Sequence, residues 1–268
     1  MPSPHKGISV SDASFLSSQT HTSQVASRAA IAQVGVSVII PAAGSGTRFG
    51  AALPKQYLDL CGLPILIRTL RVFEQTPCIH AIVIAASEDF HEHIQMLCHT
   101  HSITKLAAIC AGGSERQHSI FNALNTAPIL DSEIVLVHDA VRPFCTPEFI
   151  TSLAEAARER GSAIPGRVPK ETVKEISADS RVRSTPPRQH LRAIQTPQAF
   201  RRELLHSAYA FAEKQGFIGT DDASVVEFAG NTVFVVDGLE ENIKITTPFD
   251  FAVARMLLET PSSPPSYY

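Results

Sequence analysis

The sequence predicts an α/β fold with a mostly parallel sheet covered on both faces, and three observations point to it. Apolar runs of strand length fall at 36–40, 81–85, 106–110, 134–137, 163–168 and 232–236. Stretches of helical period at 64–75, 89–98, 115–127, 147–159, 201–214 and 223–228 alternate with them, which implies right-handed β-α-β crossovers. With 268 residues, 44% hydrophobic and 18% charged, the chain can bury a sizeable core.

Composition also narrows the function. A formal net charge of −3 gives no general attraction to nucleic acid or to an anionic membrane, so a polyanion must be met by a local cluster of Lys and Arg. No apolar run approaches the roughly 18 residues of a spanning helix. Cys61, Cys78, Cys98, Cys110 and Cys145 are spaced irregularly with no Cys-x-x-Cys, which fits reduced thiols better than a zinc site or a disulfide framework. His91, His93, His99 and His101 crowd one stretch, but neighbours at i, i+2 on a helix face apart, so a solvated helix is expected there rather than a metal site.

Residues 1–35 hold eight Ser, two Thr and one acidic residue without periodicity, the composition of a disordered extension. The cytoplasm is the expected compartment, or an organelle if that extension is a targeting peptide. Residues 36–260 form the expected catalytic domain, and 261–268 a Pro/Ser tail.

The sharpest local signal is Pro41-Ala42-Ala43-Gly44-Ser45-Gly46-Thr47-Arg48-Phe49-Gly50, directly after the first apolar run. Small residues there let backbone N–H groups approach phosphate oxygens. A dinucleotide fingerprint fails because Phe49 stands where a third glycine belongs, and a P-loop fails for want of Gly-Lys-Ser/Thr. What remains is a turn of free amides with cations at Arg48 and Lys55, which suits a triphosphate; the plainer alternative is an ordinary strand-to-helix turn.

Three further segments stand near predicted strand ends, where open α/β sheets bind their ligands. Gly112-Gly113-Ser114-Glu115-Arg116-Gln117-His118-Ser119 offers mobile backbone, a cation and hydroxyls. Val137-His138-Asp139-Ala140-Val141-Arg142-Pro143 sets one carboxylate just past an apolar run, a natural Mg²⁺ ligand when the substrate supplies the other oxygens. Glu241-Asn242-Ile243-Lys244-Ile245-Thr246 alternates at strand period. Thr220-Asp221-Asp222 reads as the capped start of a helix rather than a catalytic acid pair. Residues 170–190 mix a few apolar side chains with many charges, the pattern of an exposed hairpin that needs a partner.

Together these segments, with Pro54-Lys55-Gln56-Tyr57 and Thr196-Pro197-Gln198, resemble the 2-C-methyl-D-erythritol 4-phosphate cytidylyltransferases of the non-mevalonate isoprenoid pathway over 36–259. The resemblance implies a Rossmann-like nucleotidyltransferase fold with a projecting β-arm, acting as a homodimer on CTP and a small sugar-alcohol phosphate. It implies Ala42, Ala43, Gly44, Gly46, Gly113, Ser114, Ser119 and Ala140 around CTP, and Asp139 on Mg²⁺. Arg48, Lys55 and Lys244 would surround the α-phosphate. Arg142, Thr196, Thr220 and Glu241 would lie near the second substrate, and Thr172 and Arg188 on the arm would complete the neighbouring subunit's site. Ser114 and Glu241 each stand where the family often has Asp. A ribitol 5-phosphate cytidylyltransferase and a non-catalytic nucleotide sensor are the alternatives; the first usually carries Ala-Gly-Gly in place of Ala42-Ala43-Gly44, and the second would be expected to lose its phosphate cations.

Overall fold

The structure is a computed structural model that describes residues 35–44 and 53–259. Gly46, Arg48, the N-terminal extension up to residue 34 and the tail at 261–268 lie outside the described residues.

The first apolar run becomes β1 (Val36–Pro41), the centre of an eight-stranded sheet. On one side it pairs in parallel with β4 (Ile79–Ala86), and β4 with β5 (Leu106–Ala111). On its other side lies β6 (Ile134–Val137), also parallel. Between β1 and β4 the chain makes a small hairpin, β2 (Asp59–Leu60) with β3 (Leu63–Pro64), and the crossover helix α1 (Ile65–Gln75). Helix α2 (His91–Thr100) leads to β5, and α3 (Arg116–Leu124) with the short α4 (Ala127–Leu130) leads to β6. The α/β architecture with parallel crossovers is therefore as expected.

Beyond β6 the sheet departs from the simple alternation. Helix α5 (Pro147–Arg160) starts at Thr146, whose hydroxyl accepts the Phe149 N–H at 3.2 Å, with Pro147 in its first turn. It leads to β7 (Ser162–Arg167), but β7 does not pair with β6. The strand β11 (Gln198–Arg201) inserts between them, antiparallel to both. Its polar ends and four-residue length give no strand signal; pairing on both edges makes it one. The segment between β7 and β11 holds β8 (Glu175–Ile176) and β9 (Val182–Ser184), paired only with each other, and β10 (Ala193–Ile194), which joins β7.

After β11 come α6 (Arg202–Gln215), α7 (Asp222–Phe228), β12 (Val235–Asp237) parallel to β7, and α8 (Pro248–Glu259). Two expectations fail here. The strand expected at 232–236 shrinks to the three residues of β12, and 241–246 is irregular despite its alternation. That segment is held by single bonds to loops, among them Ile245 N–H to Val141 O at 3.0 Å, rather than by a strand ladder.

Successive β1 residues face opposite cores. Val38 and Ile40 pack with Leu66, Leu70 and Phe73 of α1 and with Ile150 and Leu153 of α5. Ile39 packs with Ile120 and Leu124 of α3 and with Leu205 and Tyr209 of α6. Each fully buried aliphatic side chain contributes about 1.5–3 kcal/mol, so both helical layers are held to the sheet. The arrangement leaves the carboxyl ends of β1, β5 and β6 opening on one edge.

Candidate active site

The loops that follow β1, β5 and β6, together with the segment after β12, enclose a cleft of about 520 Å³. Ala42, Ala43, Gly44, Lys55, Gly113, Ser114, Ser119, Asp139, Ala140 and Lys244 all line it, so segments far apart in the chain converge as the sheet topology requires.

The floor is made by backbone. Ala42 N–H donates to Ala85 O at 2.7 Å, and the buried Gln56 amide donates to Ala42 O at 2.7 Å and Gly44 O at 3.2 Å. Gln56 thus braces the turn after β1, a role the sequence did not disclose. Gly112 lets the neighbouring loop close against that turn: a Cβ there would lie 2.3 Å from the Ala43 Cβ.

Asp139 is the electrostatic centre. Its Oδ2 lies 3.1 Å from Arg142 Nε and 3.0 Å from Lys244 Nζ, and its Oδ1 lies 3.6 Å from Arg116 Nε. Burial alone would raise the carboxyl pKa, but Arg116, Lys244 and Arg142 outweigh it and hold the group well below the usual carboxylate range. Asp139 is therefore ionised at any physiological pH.

Each cation is aimed by something else. Arg116 forks onto Asp222, at 3.1 and 2.9 Å, and Asp222 is fully buried and also accepts the Tyr209 hydroxyl at 2.5 Å. Asp221, not Asp222, caps α7: its carboxylate accepts the Ser224 N–H at 2.9 Å. The two adjacent acids thus have different jobs. The expected cap is correct for Asp221, and Asp222 is a buried anchor. Arg142 also donates to Asn242 O at 2.9 Å, and Asn242 donates to Thr196 O at 2.8 Å, which fastens the segment carrying Lys244 over Asp139.

Thr196, expected near a second substrate, is buried and does not line this cleft: its hydroxyl accepts the Asp139 N–H at 3.1 Å and donates to His138 Nδ1 at 3.0 Å. His138 in turn donates from Nε2 to Arg142 O at 2.9 Å. Burial pushes the His138 pKa down to about 4, against the opposing pull of the Arg142 carbonyl and Asp139, so the ring is neutral and works as a spacer behind Asp139. Thr220 and Glu241 are exposed and outside the lining, as are Thr172 and Arg188 on the segment with β8 and β9; Arg188 donates to Lys170 O at 2.9 Å.

Among the described residues no group of three or more His, Cys, Asp or Glu could hold a metal, including the His91–His101 stretch, and no helix is long and apolar enough to cross a membrane.

Residues 36–260 match the family model for IspD, 2-C-methyl-D-erythritol 4-phosphate cytidylyltransferase. A relative of that name from Acidobacterium capsulatum is 43% identical over 85% of this chain and 99% of its own. One from Bacillus licheniformis is 42% identical over 83% of this chain and 95% of its own. The crystal structure of 4-diphosphocytidyl-2C-methyl-D-erythritol synthase from Anaerococcus prevotii superposes with a TM-score of 0.74 at 33% identity, covering 84% of this chain and 96% of that one. That of the cytidylyltransferase from Thermus thermophilus gives 0.69 at 30% identity, covering 84% and 100%. The cleft and its cations therefore belong to a member of the 2-C-methyl-D-erythritol 4-phosphate cytidylyltransferase family.

Proposed function

We propose that this cleft is where the enzyme transfers the cytidylyl group of CTP to 2-C-methyl-D-erythritol 4-phosphate, giving 4-diphosphocytidyl-2-C-methyl-D-erythritol and pyrophosphate. The observation that carries the reading is the gathering of Arg116, Arg142 and Lys244 on one buried carboxylate, beside a turn of backbone amides. Such a rim meets a triphosphate with positive charge where negative charge grows during transfer.

In this reading a phosphate oxygen of the second substrate attacks the α-phosphorus in line, and the bond to the pyrophosphate oxygen breaks. The attacking group is already ionised, so no general base is needed. Lys55 and Lys244, with Arg48 outside the described residues, stabilise the α-phosphate oxygens. Ala42, Ala43, Gly44, Gly113, Ser114, Ser119 and Ala140 shape the nucleotide pocket. Arg142, Thr196, Thr220 and Glu241 serve the second substrate, Thr196 indirectly, by fixing Asp139.

Mg²⁺ is the proposed metal and Asp139 its protein ligand. The donor set fits: one strongly ionised carboxylate without supporting His or Cys suits a hard cation that takes its remaining oxygens from phosphate and water. When bound, the ion would neutralise triphosphate charge. The arm carrying Thr172 and Arg188 is proposed to pack on a second copy of the chain. Ile176 and Val182 support this, being apolar and 57% and 58% exposed on strands that pair only with each other.

Pyrophosphate release with CTP and either 2-C-methyl-D-erythritol 4-phosphate or ribitol 5-phosphate tests the reading. Turnover is expected with the first, lost on adding EDTA and restored by Mg²⁺. Turnover only with ribitol 5-phosphate, or none with either, would overturn it.

A further inference from the structure

We infer that Gln117 is a positioning residue for the second substrate: its amide staples the loop between α6 and α7 so that Thr220 stands at the edge of the cleft. The inference rests on the proposed function, in which Thr220 serves 2-C-methyl-D-erythritol 4-phosphate.

Gln117 lies in the first turn of α3 and is 5% exposed. Arg116 and Ser119 of the same helix line the cleft, but Gln117 does not. Its side chain bonds instead to backbone 100 and 102 positions further along the chain: Nε2 donates to Phe217 O at 2.8 Å, and Oε1 accepts the Gly219 N–H at 2.8 Å. The two ends of one amide thus match one acceptor and one donor of the same segment, and the reversed amide would set like against like. Residues 217–219 belong to no helix or strand, so their polar backbone groups need partners of this kind.

The helices on either side do not need the staple. Helix α6 ends on Gly216 in the left-handed conformation, at φ 63°, and α7 begins with the reciprocal cap of Asp221 and Ser224. What Gln117 fixes is the stretch between those caps, which carries the exposed Thr220. That stretch is closely fitted: a Cβ at Gly219 would lie 2.5 Å from Ser224 Oγ and 2.8 Å from Val225 Cγ2. On the other side of Thr220, Asp222 takes the Arg116 fork, and Arg116 Nε lies 3.6 Å from Asp139 Oδ1 in the cleft. Arg116 and Gln117, adjacent in the chain, therefore hold positions 222 and 219, and Thr220 is carried between them beside the cleft rim. Cutting the Gln117 end frees 217–220, while α3 keeps its own helix bonds and its cleft-lining residues stay in place. The staple therefore governs the second substrate rather than CTP.

Steady-state kinetics of Gln117→Met test this, since Met keeps the length of the side chain and loses both bonds. The KM for 2-C-methyl-D-erythritol 4-phosphate is expected to rise about 10-fold, the scale of one or two neutral hydrogen bonds. The KM for CTP and kcat at saturating substrates should stay within about 2-fold, the mark of binding lost equally from ground and transition states. In a Thr220→Ala background the same change should add less than about 2-fold, because a residue that acts through Thr220 has nothing left to act on. Equal rises in both KM values, an unchanged KM for the second substrate, or a full further rise in the double variant overturns the role of the staple. If Gln117→Met does not fold, Gln117→Glu decides by the ratio of the two KM values. It keeps the acceptor for Gly219 and loses the donor to Phe217, so the ratio should move about 3-fold, and an unmoved ratio overturns the inference. These outcomes concern the staple alone, whereas an unaltered enzyme that releases no pyrophosphate with CTP and 2-C-methyl-D-erythritol 4-phosphate overturns the proposed function.

Discussion

Around Asp139 the polar side chains are buried and bonded to one another, whereas along 172–188 they stand in solvent with contacts only to their own surface neighbours. Asp139 is 7% exposed and Asp222, His138 and Asn242 are fully buried. On the arm, the Ser184 hydroxyl donates to Glu175 at 2.8 Å and Lys174 to Thr185 at 2.7 Å, all exposed. Burying charges is costly unless each finds partners, so the rim can exist only as a connected set. The arm bears no such cost, but strands of two and three residues without an apolar face beneath them are marginal on their own. The comparison teaches that the proposed phosphate site is preorganised within the chain, while the arm offers exposed apolar side chains that the proposed second copy would cover.

The largest effect expected from that contrast is in stability. Asp222→Ala leaves the Arg116 guanidinium and the Tyr209 hydroxyl without their buried partner, and should cost about 3–5 kcal/mol in denaturant unfolding. A loss below about 1 kcal/mol would mean that the rim is not a connected set.

A somewhat smaller effect should appear with pH. The folded pKa of His138, about 4, lies below the unfolded value of about 6.5. A depressed pKa contributes stability that is complete above the unfolded value and is lost as pH falls through the folded one. Between about pH 6.5 and 4 the protein should therefore lose up to about 3 kcal/mol, and His138→Gln should remove that part of the slope. An unaltered slope in the variant would place the titration elsewhere.

The smallest stability effect belongs to the arm. Replacing both Ile176 and Val182 with Ser should shift unfolding of the separated chain by no more than about 0.5 kcal/mol, because both are already exposed. Self-association in sedimentation should weaken in the same variant. Undiminished self-association would show that the arm is not the interface.

The contrast also explains what could be read from sequence. β1, β4, β5, β6 and β7 are apolar runs whose own composition marks them, and the small residues of 41–44 and the acid at 139 follow strand ends directly. The arm too is legible, because charges around a few apolar side chains cannot form a core. The inserted β11 is not, since Gln198–Arg201 owes its strand form to two flanking strands. Nor is the Arg116–Asp222 pair, whose members are 106 positions apart with no local pattern to join them. The alternation at 241–246 misled for the opposite reason: its apolar residues face a small cluster around Leu60, Ile65 and Ala254, not a sheet face.

The central proposal is that the cations gathered at Asp139 stabilise charge that develops only during transfer. Steady-state kinetics of Lys244→Ala test this most directly, because an interaction made in the transition state appears in kcat and one made equally in the ground state appears in KM. The expected result is a fall in kcat of roughly 10² to 10³, on the scale of losing one oxyanion donor, with little change in the KM for CTP. A folded Lys244→Ala enzyme that keeps near-normal kcat at saturating substrates would contradict it.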